Sequence, residues 1–534
     1  MVCERIIGEI RIGTINKLAM PRFKNQNINR MKVKYFIFAT LLFCMLFRVE
    51  TYSKTRQAME PLVKTQGGWV KGVLNASKTV VSFKGIPFAA PPVGNLRWRA
   101  PQPPLPWKGI RQADSFGASA IQIKQGSRNP WTEEFMVQNE ISEDCLFLNI
   151  WTPGTGSSQK RAVLVYIHGG GFVEGSGGVD VYDGEELSKK GIVVVTINYR
   201  LGVFGFLAHP ELSAESPNKV SGNYGILDQM AALHWIQRNI SAFGGDPSRV
   251  TIAGQSAGAS SVNALIMAPQ AAGLFHGAIT ESGTKFSTGS QTIPTLAEAE
   301  KLGLKYGLSK GATTLAQLRA LTAEQLMKPD TTKPQIRFGR LIDGYYQPSD
   351  MLTRFAQGKQ NDTPFMNGYN ADETMYVGNK GQEFETVYSA FSKANEKKAG
   401  QQQSLINANL WLEHRAKTAK TNAYAYFFTR AIPWPEHPEF GAFHTGEVPY
   451  VFANLKMIKR PWTSLDTLVA DQMSSYWVNF VNTGNPNGKG LPKWSAYQPQ
   501  DKRVMEIGSK TEMIPITNSP EQYDFLKKQL LNIK

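Results

Sequence analysis

Cysteine is scarce in this chain of 534 residues, which contains only Cys3, Cys44 and Cys145. Two of the three lie within residues 1–53, and Cys145 stands alone in the remainder. A single cysteine cannot form an intramolecular disulfide, which excludes a small scaffold held together by such bonds. A chain of this length buries enough apolar surface to fold without one, so we expect Cys145 to be an inert packing residue.

Long hydrophobic runs and dense charge are also lacking. Beyond the N-terminal segment no run is both long and apolar enough to span a bilayer, which excludes a polytopic membrane protein. Charged residues make up 19% of the chain, and its net charge of +16 includes nine basic against three acidic side chains in residues 1–53. Residues 54–534 contain no basic block with interleaved aromatics and no zinc-ligand spacing. The charge therefore indicates a basic soluble surface and no nucleic-acid partner.

The N-terminal segment has the pattern of an export signal. A basic start at residues 31–34 precedes an apolar stretch from Tyr35 to Phe47, which is short for a membrane-spanning helix and is followed by small residues. We predict an upstream extension over residues 1–30, a signal peptide over residues 31–53, and a periplasmic or secreted mature protein. After cleavage no stable membrane span is expected; an uncleaved anchor is the alternative.

Residues 54–534 contain no internal repeat and no marked boundary, so we predict a single domain. Apolar runs alternate with amphipathic helices, which favours an α/β fold with parallel strands. Strands are predicted near residues 162–167, 192–197, 250–253 and 278–280, and helices over residues 224–240 and 257–267. The region from Leu296 to about Thr363 is more helical and is predicted to form a cap inserted into the same domain.

The sequence Gly254-Gln255-Ser256-Ala257-Gly258 directly follows one of these strands and precedes a helix. This G-x-S-x-G pattern puts a serine hydroxyl at the apex of a strained turn, where side chains two residues to either side would collide. The N–H groups of the following helix and its positive dipole end point at a reacting oxygen. Alone, the pattern is more often a glycine-rich turn; between a strand and a helix it predicts a nucleophile at Ser256.

A serine nucleophile needs an oxyanion site, a base and an acid. The run His168-Gly169-Gly170-Gly171 closes the strand predicted at residues 162–167, and its glycines let backbone N–H groups approach an acyl oxygen. We predict the N–H groups of Gly170, Gly171 and Ala257 as the oxyanion donors. The alternative is that the three glycines only form a tight turn.

Several histidines compete for the role of the base. In folds with this turn the acid and the histidine follow the serine along the chain, which leaves His276, His414, His437 and His444. The first lies just before a strand, the second among charges in a helical run, and the third in a proline-rich stretch, so each has a structural explanation. His444 lies in a short loop before an apolar run, and the pattern alone favours it only slightly.

Several motifs in a fixed order make the chain resemble a type-B carboxylesterase, in the cholinesterase/carboxylesterase branch of the α/β-hydrolase family. The matching segments are Phe83–Ala89, Gly94 with Leu96–Trp98, Ser142–Leu146, Asn149–Trp151, His168–Gly171, Asn198–Gly202, Asp228–Gln229, Gly254–Gly258, Glu281–Gly283 and the loop of His444. The resemblance covers nearly the whole mature chain. It implies an α/β-hydrolase fold with a central, mostly parallel sheet flanked by helices and with helical insertions that cap the active site.

The resemblance also implies the roles of the site residues. Ser256 matches the nucleophile of the family and His444 its general base. The acid falls in Asn370-Ala371-Asp372-Glu373-Thr374, where Glu373 takes the position of the acid and Asp372 is its neighbouring rival. Thr374 replaces the usual glycine, a departure that concerns only the local turn.

Three further departures bear on class and substrate. Cys145 matches one half of the family disulfide, but the partner position is Ala120, which is more like the bacterial members. Gln255 stands where cholinesterases carry glutamate, so an anionic group that would favour a quaternary ammonium is missing. Trp131 lies at a spacing from Glu143 that does not fit the choline-binding tryptophan, so cation–π recognition is unsupported. We expect an apolar pocket for neutral carboxylic esters.

The predicted chemistry is acyl transfer from a small-molecule ester through an acyl-Ser256 intermediate, with Glu373 and His444 completing the triad. It requires no metal and no organic cofactor. A non-catalytic binding protein on the same fold is the main alternative, and such proteins typically lack the nucleophile. Hydrolysis of a lactone, carbamate or amide by the same residues is a second alternative.

Overall fold

The computed structural model describes residues 61–283, 293–329, 336–373, 378 and 380–531. The predicted upstream extension and signal peptide, residues 1–53, lie outside this part of the chain, as does Thr374. The described residues form a large mixed β-sheet with helices packed around it. This is the α/β arrangement that the alternating sequence pattern predicts.

An eleven-stranded sheet forms the centre of the described chain. Its strands are β1 (Val73–Leu74), β2 (Val81–Pro87), β3 (Phe147–Thr152), β4 (Arg161–Ile167), β5 (Val193–Ile197), β6 (Gly245–Gln255), β7 (Gly277–Glu281), β8 (Phe365–Asn370), β9 (Ala423–Phe428), β10 (Arg503–Ile507) and β11 (Thr511–Pro515). Their spatial order is β11-β10-β9-β8-β7-β6-β4-β5-β3-β2-β1. Strands β4 to β10 run parallel, whereas β1, β2 and β3 at one edge and β11 at the other run antiparallel to their neighbours.

Strands β5, β7, β8 and β9 are buried along their whole length and β4 nearly so, and burial on both faces explains why β4 and β5 show continuous apolar runs rather than alternation. Strands β4, β5, β6 and β7 confirm the four predicted strands. The strand predicted at residues 250–253 is the middle of the longer β6. The first part of β6 contains Asp246 and Pro247 and pairs only at Gly245 before its register shifts, so an apolar pattern could not reveal it.

Two smaller sheets lie outside the central one. Leu62–Thr65 and Gly68–Lys71 form a hairpin, and Ile110–Gln112 runs parallel to its second strand. The short strands Ser119–Ala120 and Ile141–Ser142 pair in parallel, which ties the two ends of the intervening segment together.

Helices connect the strands and cover the sheet. They are α1 (Glu185–Lys189), α2 (Gly202–Phe206), α3 (Pro210–Glu215), α4 (Tyr224–Asn239), α5 (Ala257–Met267), α6 (Leu296–Ser309), α7 (Leu315–Ala320), α8 (Ala323–Met327), α9 (Met351–Ala356), α10 (Gln382–Tyr388), α11 (Lys393–Ala416), α12 (Val448–Val451), α13 (Ser464–Thr483) and α14 (Pro520–Leu531). None of these helices of the described chain combines the length and the apolar character needed to cross a membrane.

Helices α4 and α5 match the two predicted helices closely. Helix α4 is buried around most of its circumference because it packs against α2, α5 and β6. It ends in a single turn of 3-10 helix, Ile240–Phe243, and in Gly244, whose φ of 83° stops the helix. The region from Leu296 onwards is helical only in part, because residues 336–350 are irregular.

Cys145 is buried and unpaired, as expected for a packing residue. Burial raises the pKa of its thiol far above the ordinary value, which suppresses the reactive thiolate. Ala120 and Cys145 line the same small cavity, of about 10 Å³. The position that would hold the other half of a disulfide is therefore adjacent to Cys145 but lacks a sulfur atom.

A buried ion pair fixes α4 to the loop that follows β5. Arg200 donates from Nε and Nη2 to the two oxygens of Asp228, at 2.8 and 2.7 Å, and its backbone N–H reaches the same carboxylate at 3.0 Å. The two side chains are 3% and 0% exposed. Removing one charge from such a pair leaves the other buried and uncompensated.

We therefore expect Asp228→Asn to lower the free energy of unfolding by about 3–5 kcal/mol. The matched control is Glu215→Gln, because Glu215 accepts two hydrogen bonds from Arg319 in the same bidentate geometry, at 2.7 and 2.8 Å, but is 38% exposed. The control is expected to cost less than about 1 kcal/mol. Urea unfolding followed by circular dichroism measures both, and equal losses would contradict the role of burial.

Candidate active site

Ser256 lies at the junction of β6 and α5 in a strained backbone conformation, with φ 57° and ψ −118°. A Cβ on Gly254 would lie 2.5 Å from the carbonyl carbon of Gly258, and one on Gly258 would lie 2.0 Å from the carbonyl oxygen of Ile167. Only glycine therefore fits on either side of the serine, which confirms the steric reason given for the G-x-S-x-G pattern.

Two backbone hydrogen bonds hold the strained residue. The N–H of Ser256 donates to the carbonyl of Glu281 at 2.8 Å, and its own carbonyl accepts the N–H of Ser260 at 2.9 Å. The side chain is left partly exposed at the edge of a cavity. Its hydroxyl makes no hydrogen bond to any side chain in the described part of the protein.

Glu373 and His444 are in direct contact. Nδ1 of His444 hydrogen-bonds to Oε2 of Glu373, whose other oxygen accepts the N–H of Asn370 at 2.6 Å. The Glu373 side chain is only 1% exposed, so water competes little for its carboxylate. The Asn370 amide also donates to the carbonyl of Phe443 at 2.8 Å, which joins the end of β8 to the loop of His444.

The neighbouring carboxylate of Asp372 has other partners. Its Oδ2 accepts the N–H of Ala442 at 2.8 Å, and its Oδ1 lies 2.5 Å from Nζ of Lys397. Asp372 therefore shapes the backbone of the histidine loop without touching the imidazole. The geometry separates two adjacent acids that the sequence leaves as rivals.

Of the four histidine candidates, His444 alone lines the cavity that contains Ser256. His276 pairs through its backbone and Nδ1 with the backbone of Val250 at the start of the parallel pairing. His437 contacts Glu439 at 3.0 Å, and His414 lies half-buried in α11. None of these three histidines lines the cavity that contains Ser256.

The glycine turn after β4 is held from both sides. The His168 ring stacks on Tyr199 with centroids 4.4 Å apart, and its Nδ1 lies 2.9 Å from the carbonyl oxygen of Gly169. Burial lowers the pKa of His168 to about 4, so the ring is neutral and supports the turn rather than exchanging protons. On the other side the Gln122 amide forms two hydrogen bonds with the backbone of Gly175, at 2.8 and 2.9 Å.

The three predicted oxyanion donors lie either on the cavity of Ser256 or next to the serine in the chain. Gly170 and Gly171 line the same cavity as Ser256 and have positive φ values of 99° and 62°. Ala257 directly follows the serine as the first residue of α5. No acceptor within the described residues takes a hydrogen bond from these three N–H groups, which leaves them free to bind an acyl oxygen.

Comparisons with known proteins identify the family of the chain. The model of the carboxylesterase family matches residues 59–413 and 401–526. The chain belongs to the carboxylesterase family. It is 37% identical over 491 residues to fumonisin B1 esterase from Sphingopyxis macrogoltabida, covering 84% of this chain and 86% of the relative. It is 34% identical over 490 residues to para-nitrobenzyl esterase from Bacillus subtilis, covering 86% and 96%.

Solved structures agree with the sequence relatives. A structure of PNB esterase superposes with a TM-score of 0.74 at 31% identity, covering 88% of this chain and 99% of its own. The carboxylesterase EST55 of Geobacillus stearothermophilus gives a TM-score of 0.73 at 30% identity, covering 87% and 99%. The protein has the α/β-hydrolase fold of a bacterial-type carboxylesterase, and it is a carboxylic ester hydrolase.

Gln255 lies over the imidazole of this carboxylesterase. Its Nε2 is 3.2 Å from Nε2 and 3.4 Å from Nδ1 of His444. An atom so nearly equidistant from both ring nitrogens faces the ring, because a position in the ring plane would overlap the carbon between them. The substitution noted in the sequence thus replaces a carboxylate with a neutral amide at the face of the imidazole.

Trp131 contacts the histidine loop, which the sequence pattern did not reveal. Its indole N–H donates to Oγ1 of Thr445 at 2.6 Å and to the carbonyl of His444 at 3.2 Å, which positions the histidine loop. The Arg128 guanidinium lies 5.5 Å from the centre of the Trp131 ring and pairs with Glu174. The ring therefore already contacts an internal cation, in keeping with the expectation that choline-type recognition is unsupported.

The cavity beside Ser256 and His444 has a volume of about 260 Å³. Its walls are mixed rather than purely apolar, with contributions from Gln122, Gln125, Arg128, Trp131, Phe135, Met136, Val137, Val173, Glu174, Val179 and Tyr182. A cavity of this size accommodates a small ester group or the alcohol part of a larger ester.

Two further carboxyl groups, those of Glu281 and Glu447, are fully buried. Glu281 accepts the Tyr166 hydroxyl at 2.9 Å and the Trp477 indole N–H at 2.8 Å. Burial raises the pKa of Glu281 to about 7, against the lowering effect of these hydrogen bonds. Burial, followed by the charges of Glu281 and Glu373, raises the pKa of Glu447 well above its ordinary value. Both carboxyl groups are therefore more readily protonated than an ordinary glutamate.

We expect Gln255→Glu to move the acid limb of the pH–rate profile upwards by about 1 pH unit, because a carboxylate at the ring face stabilises the imidazolium. The profile of p-nitrophenyl acetate hydrolysis measures this shift. Gln255→Met is the neutral control and should leave the limb unchanged. An unmoved limb in the glutamate variant would show that Gln255 does not face the titrating group.

Proposed function

We propose that this carboxylesterase hydrolyses its ester substrate with Ser256 as nucleophile, His444 as general base and Glu373 as the acid that orients the imidazole. The observation that carries the proposal is the contact between Glu373 and His444 beside a serine held in a strained turn. The imidazole nitrogen left for Ser256 is Nε2, because Nδ1 is bonded to the carboxylate. This arrangement fits the requirements of an activated serine.

Acylation begins when Nε2 of His444 takes the hydroxyl proton of Ser256 and the serine oxygen attacks the ester carbonyl. The negative charge that develops on the carbonyl oxygen is stabilised by the N–H groups of Gly170, Gly171 and Ala257. His444 then gives its proton to the leaving alcohol, and the acyl group remains on Ser256. Glu373 stabilises the imidazolium during both transfers.

Deacylation repeats these steps with water as the nucleophile. His444 removes a proton from water, the hydroxide attacks the acyl carbonyl, and Ser256 leaves with the proton returned by the imidazole. The products are the carboxylic acid and the alcohol. In unliganded enzymes the serine–histidine hydrogen bond is often long and tightens only when substrate is bound, which is consistent with the unpaired hydroxyl of Ser256.

We expect Ser256→Ala to abolish turnover of p-nitrophenyl acetate and butyrate while leaving the fold intact. A serine-directed organophosphate should inactivate the parent enzyme and label Ser256. If deacylation is slow, the parent should show a burst of nitrophenol equal to the enzyme concentration. Turnover by the alanine variant within tenfold of the parent would contradict the assignment, and no turnover by folded parent would favour a binding protein.

The same assay separates the two neighbouring acids. We expect Glu373→Gln to lower kcat by about 10²–10⁴-fold, since the imidazole loses its charged partner. Asp372→Asn is the matched control, because it removes a carboxylate one residue away that does not contact His444. A larger loss in the control than in Glu373→Gln would reverse the roles of the two residues.

We also propose that the chain is an exported single-domain enzyme whose partner is a small-molecule ester, with no nucleic-acid partner and no membrane span after processing. The support is the basic and apolar pattern of residues 31–53, which is typical of a signal peptide, with residues 54–534 as the mature domain and residues 1–30 as an upstream extension.

Expression of the full chain in a Gram-negative host tests this proposal. We expect active enzyme in the periplasm or the medium, and N-terminal sequencing should give a start near residue 54. Deletion of residues 31–53 should retain the enzyme in the cytoplasm. An intact leader on enzyme found in the membrane fraction would instead support an uncleaved anchor.

A further inference from the structure

An arginine beside the nucleophile helix lacks an acidic partner. Arg340 lies in the irregular segment 336–350, and its Nε donates to the hydroxyl of Ser260 at 2.7 Å. Its two Nη groups make no hydrogen bond or ion pair with the described residues. The acidic residue nearest in the chain, Asp343, is already occupied by the side-chain amide of Asn223 at 2.7 Å and by backbone N–H groups.

The backbone that carries Arg340 is fixed. The next residue, Leu341, is buried, and both its N–H and its carbonyl pair with the side chain of Asn223, at 3.1 and 2.9 Å. Asn223 is itself buried at the start of α4. The guanidinium is therefore presented from a constrained position beside α5.

Arg340 lies close to the nucleophile. Ser260 follows Ser256 by one turn of α5, and both serines are partly exposed. Residues four apart lie on the same face of a helix, with about 6 Å between their Cβ atoms. A guanidinium bonded to the Ser260 hydroxyl thus lies within roughly 10 Å of the Ser256 hydroxyl.

The charge of Arg340 has no carboxylate partner among the described residues. Several other arginines with little exposure do have one, such as Arg97 with Glu143, Arg200 with Asp228 and Arg415 with Asp362. Loss of hydration lowers the pKa of Arg340 to about 10, so the group is still charged at neutral pH. Its free Nη edge has the planar fork that binds a carboxylate through two hydrogen bonds.

We propose that Arg340 binds a carboxylate on the acyl part of the substrate, so that half-esters of dicarboxylic acids are preferred. This inference rests on the proposed role of Ser256 as the nucleophile. It departs from the neutral esters expected from the sequence. Gln255 is compatible with it, because a neutral amide at that position does not repel an anionic substrate.

The acyl part is assigned from the position of the imidazole. The leaving alcohol must receive its proton from His444, which lines the 260 Å³ cavity, whereas Arg340 does not line that cavity and lies along α5. A carboxylate held by Arg340 therefore belongs to the group that stays on Ser256. The distance of roughly 10 Å between the Arg340 guanidinium and the Ser256 hydroxyl fits an acyl chain of the length of glutarate.

Two matched substrates test the proposal. The first is p-nitrophenyl hydrogen glutarate, and the second is p-nitrophenyl methyl glutarate, in which a methyl ester caps the carboxylate. We expect Arg340→Met to lower kcat/KM for the anionic substrate by about 10–100-fold, because a charge-assisted pair is lost. The value for the capped substrate should change by less than about threefold, and Arg340→Lys should fall between the parent and Arg340→Met.

Arg337→Met is the matched control, because Arg337 is an exposed arginine in the same segment. It should leave the ratio of the two kcat/KM values unchanged. Turnover of the capped ester shows that each variant is folded. The acetate ester of 4-hydroxybenzoate, with its carboxylate on the leaving group, should be insensitive to Arg340→Met.

An unchanged ratio in Arg340→Met would overturn the inference while leaving the triad intact, since the capped ester would still be hydrolysed through Ser256. Sensitivity of only the 4-hydroxybenzoate ester would overturn the placement on the acyl part. Failure of the triad itself is distinguished separately, because Ser256→Ala would then retain turnover of both glutarate substrates.

Discussion

The turn between β6 and α5 is the constraint on which the rest of the site depends. The chain must reverse from a buried strand into a buried helix within one residue, which forces Ser256 out of the ordinary backbone regions at a cost of about 1–3 kcal/mol. Three close approaches maintain it: Gly258 against β4, Gly283 against the carbonyl of Ser256, and Gly169 against Gln255. The sheet and helix packing around the turn offsets its strain.

Parallel strand order then assembles the other groups. The glycine turn follows β4, Ser256 follows β6 and Glu373 follows β8, all at the carboxyl ends of parallel strands whose order in the sheet is β8-β7-β6-β4. Because these ends lie at one edge of the sheet, residues that are far apart in sequence lie close together there. His444 arrives on a loop after β9 and is held to this edge by Asn370 and Trp131.

Local patterns in the sequence were sufficient for β4, β5, β7 and the apolar part of β6, for α4 and α5, and for the steric role of Gly254 and Gly258. Long-range contacts were not predictable in this way. Pattern alone favoured His444 over the three other candidates only slightly, because its partner Glu373 follows the distant strand β8 and its loop is held by a tryptophan at position 131. The irregular segment around Arg340 was also hidden, since no periodicity records which side chains a loop brings to a distant helix.

Because Glu281 is buried, the stability of the fold depends on pH. In an unfolded chain this carboxyl releases its proton near the ordinary pKa of 4.5, whereas in the fold its pKa is raised to about 7. Folding between these pH values takes up a proton, so this contribution to stability is complete below about pH 4.5 and is lost as the pH rises through 7. Ester hydrolysis releases a carboxylic acid, which lowers the pH. The product of the reaction therefore promotes the protonated form of Glu281, in which the fold is more stable.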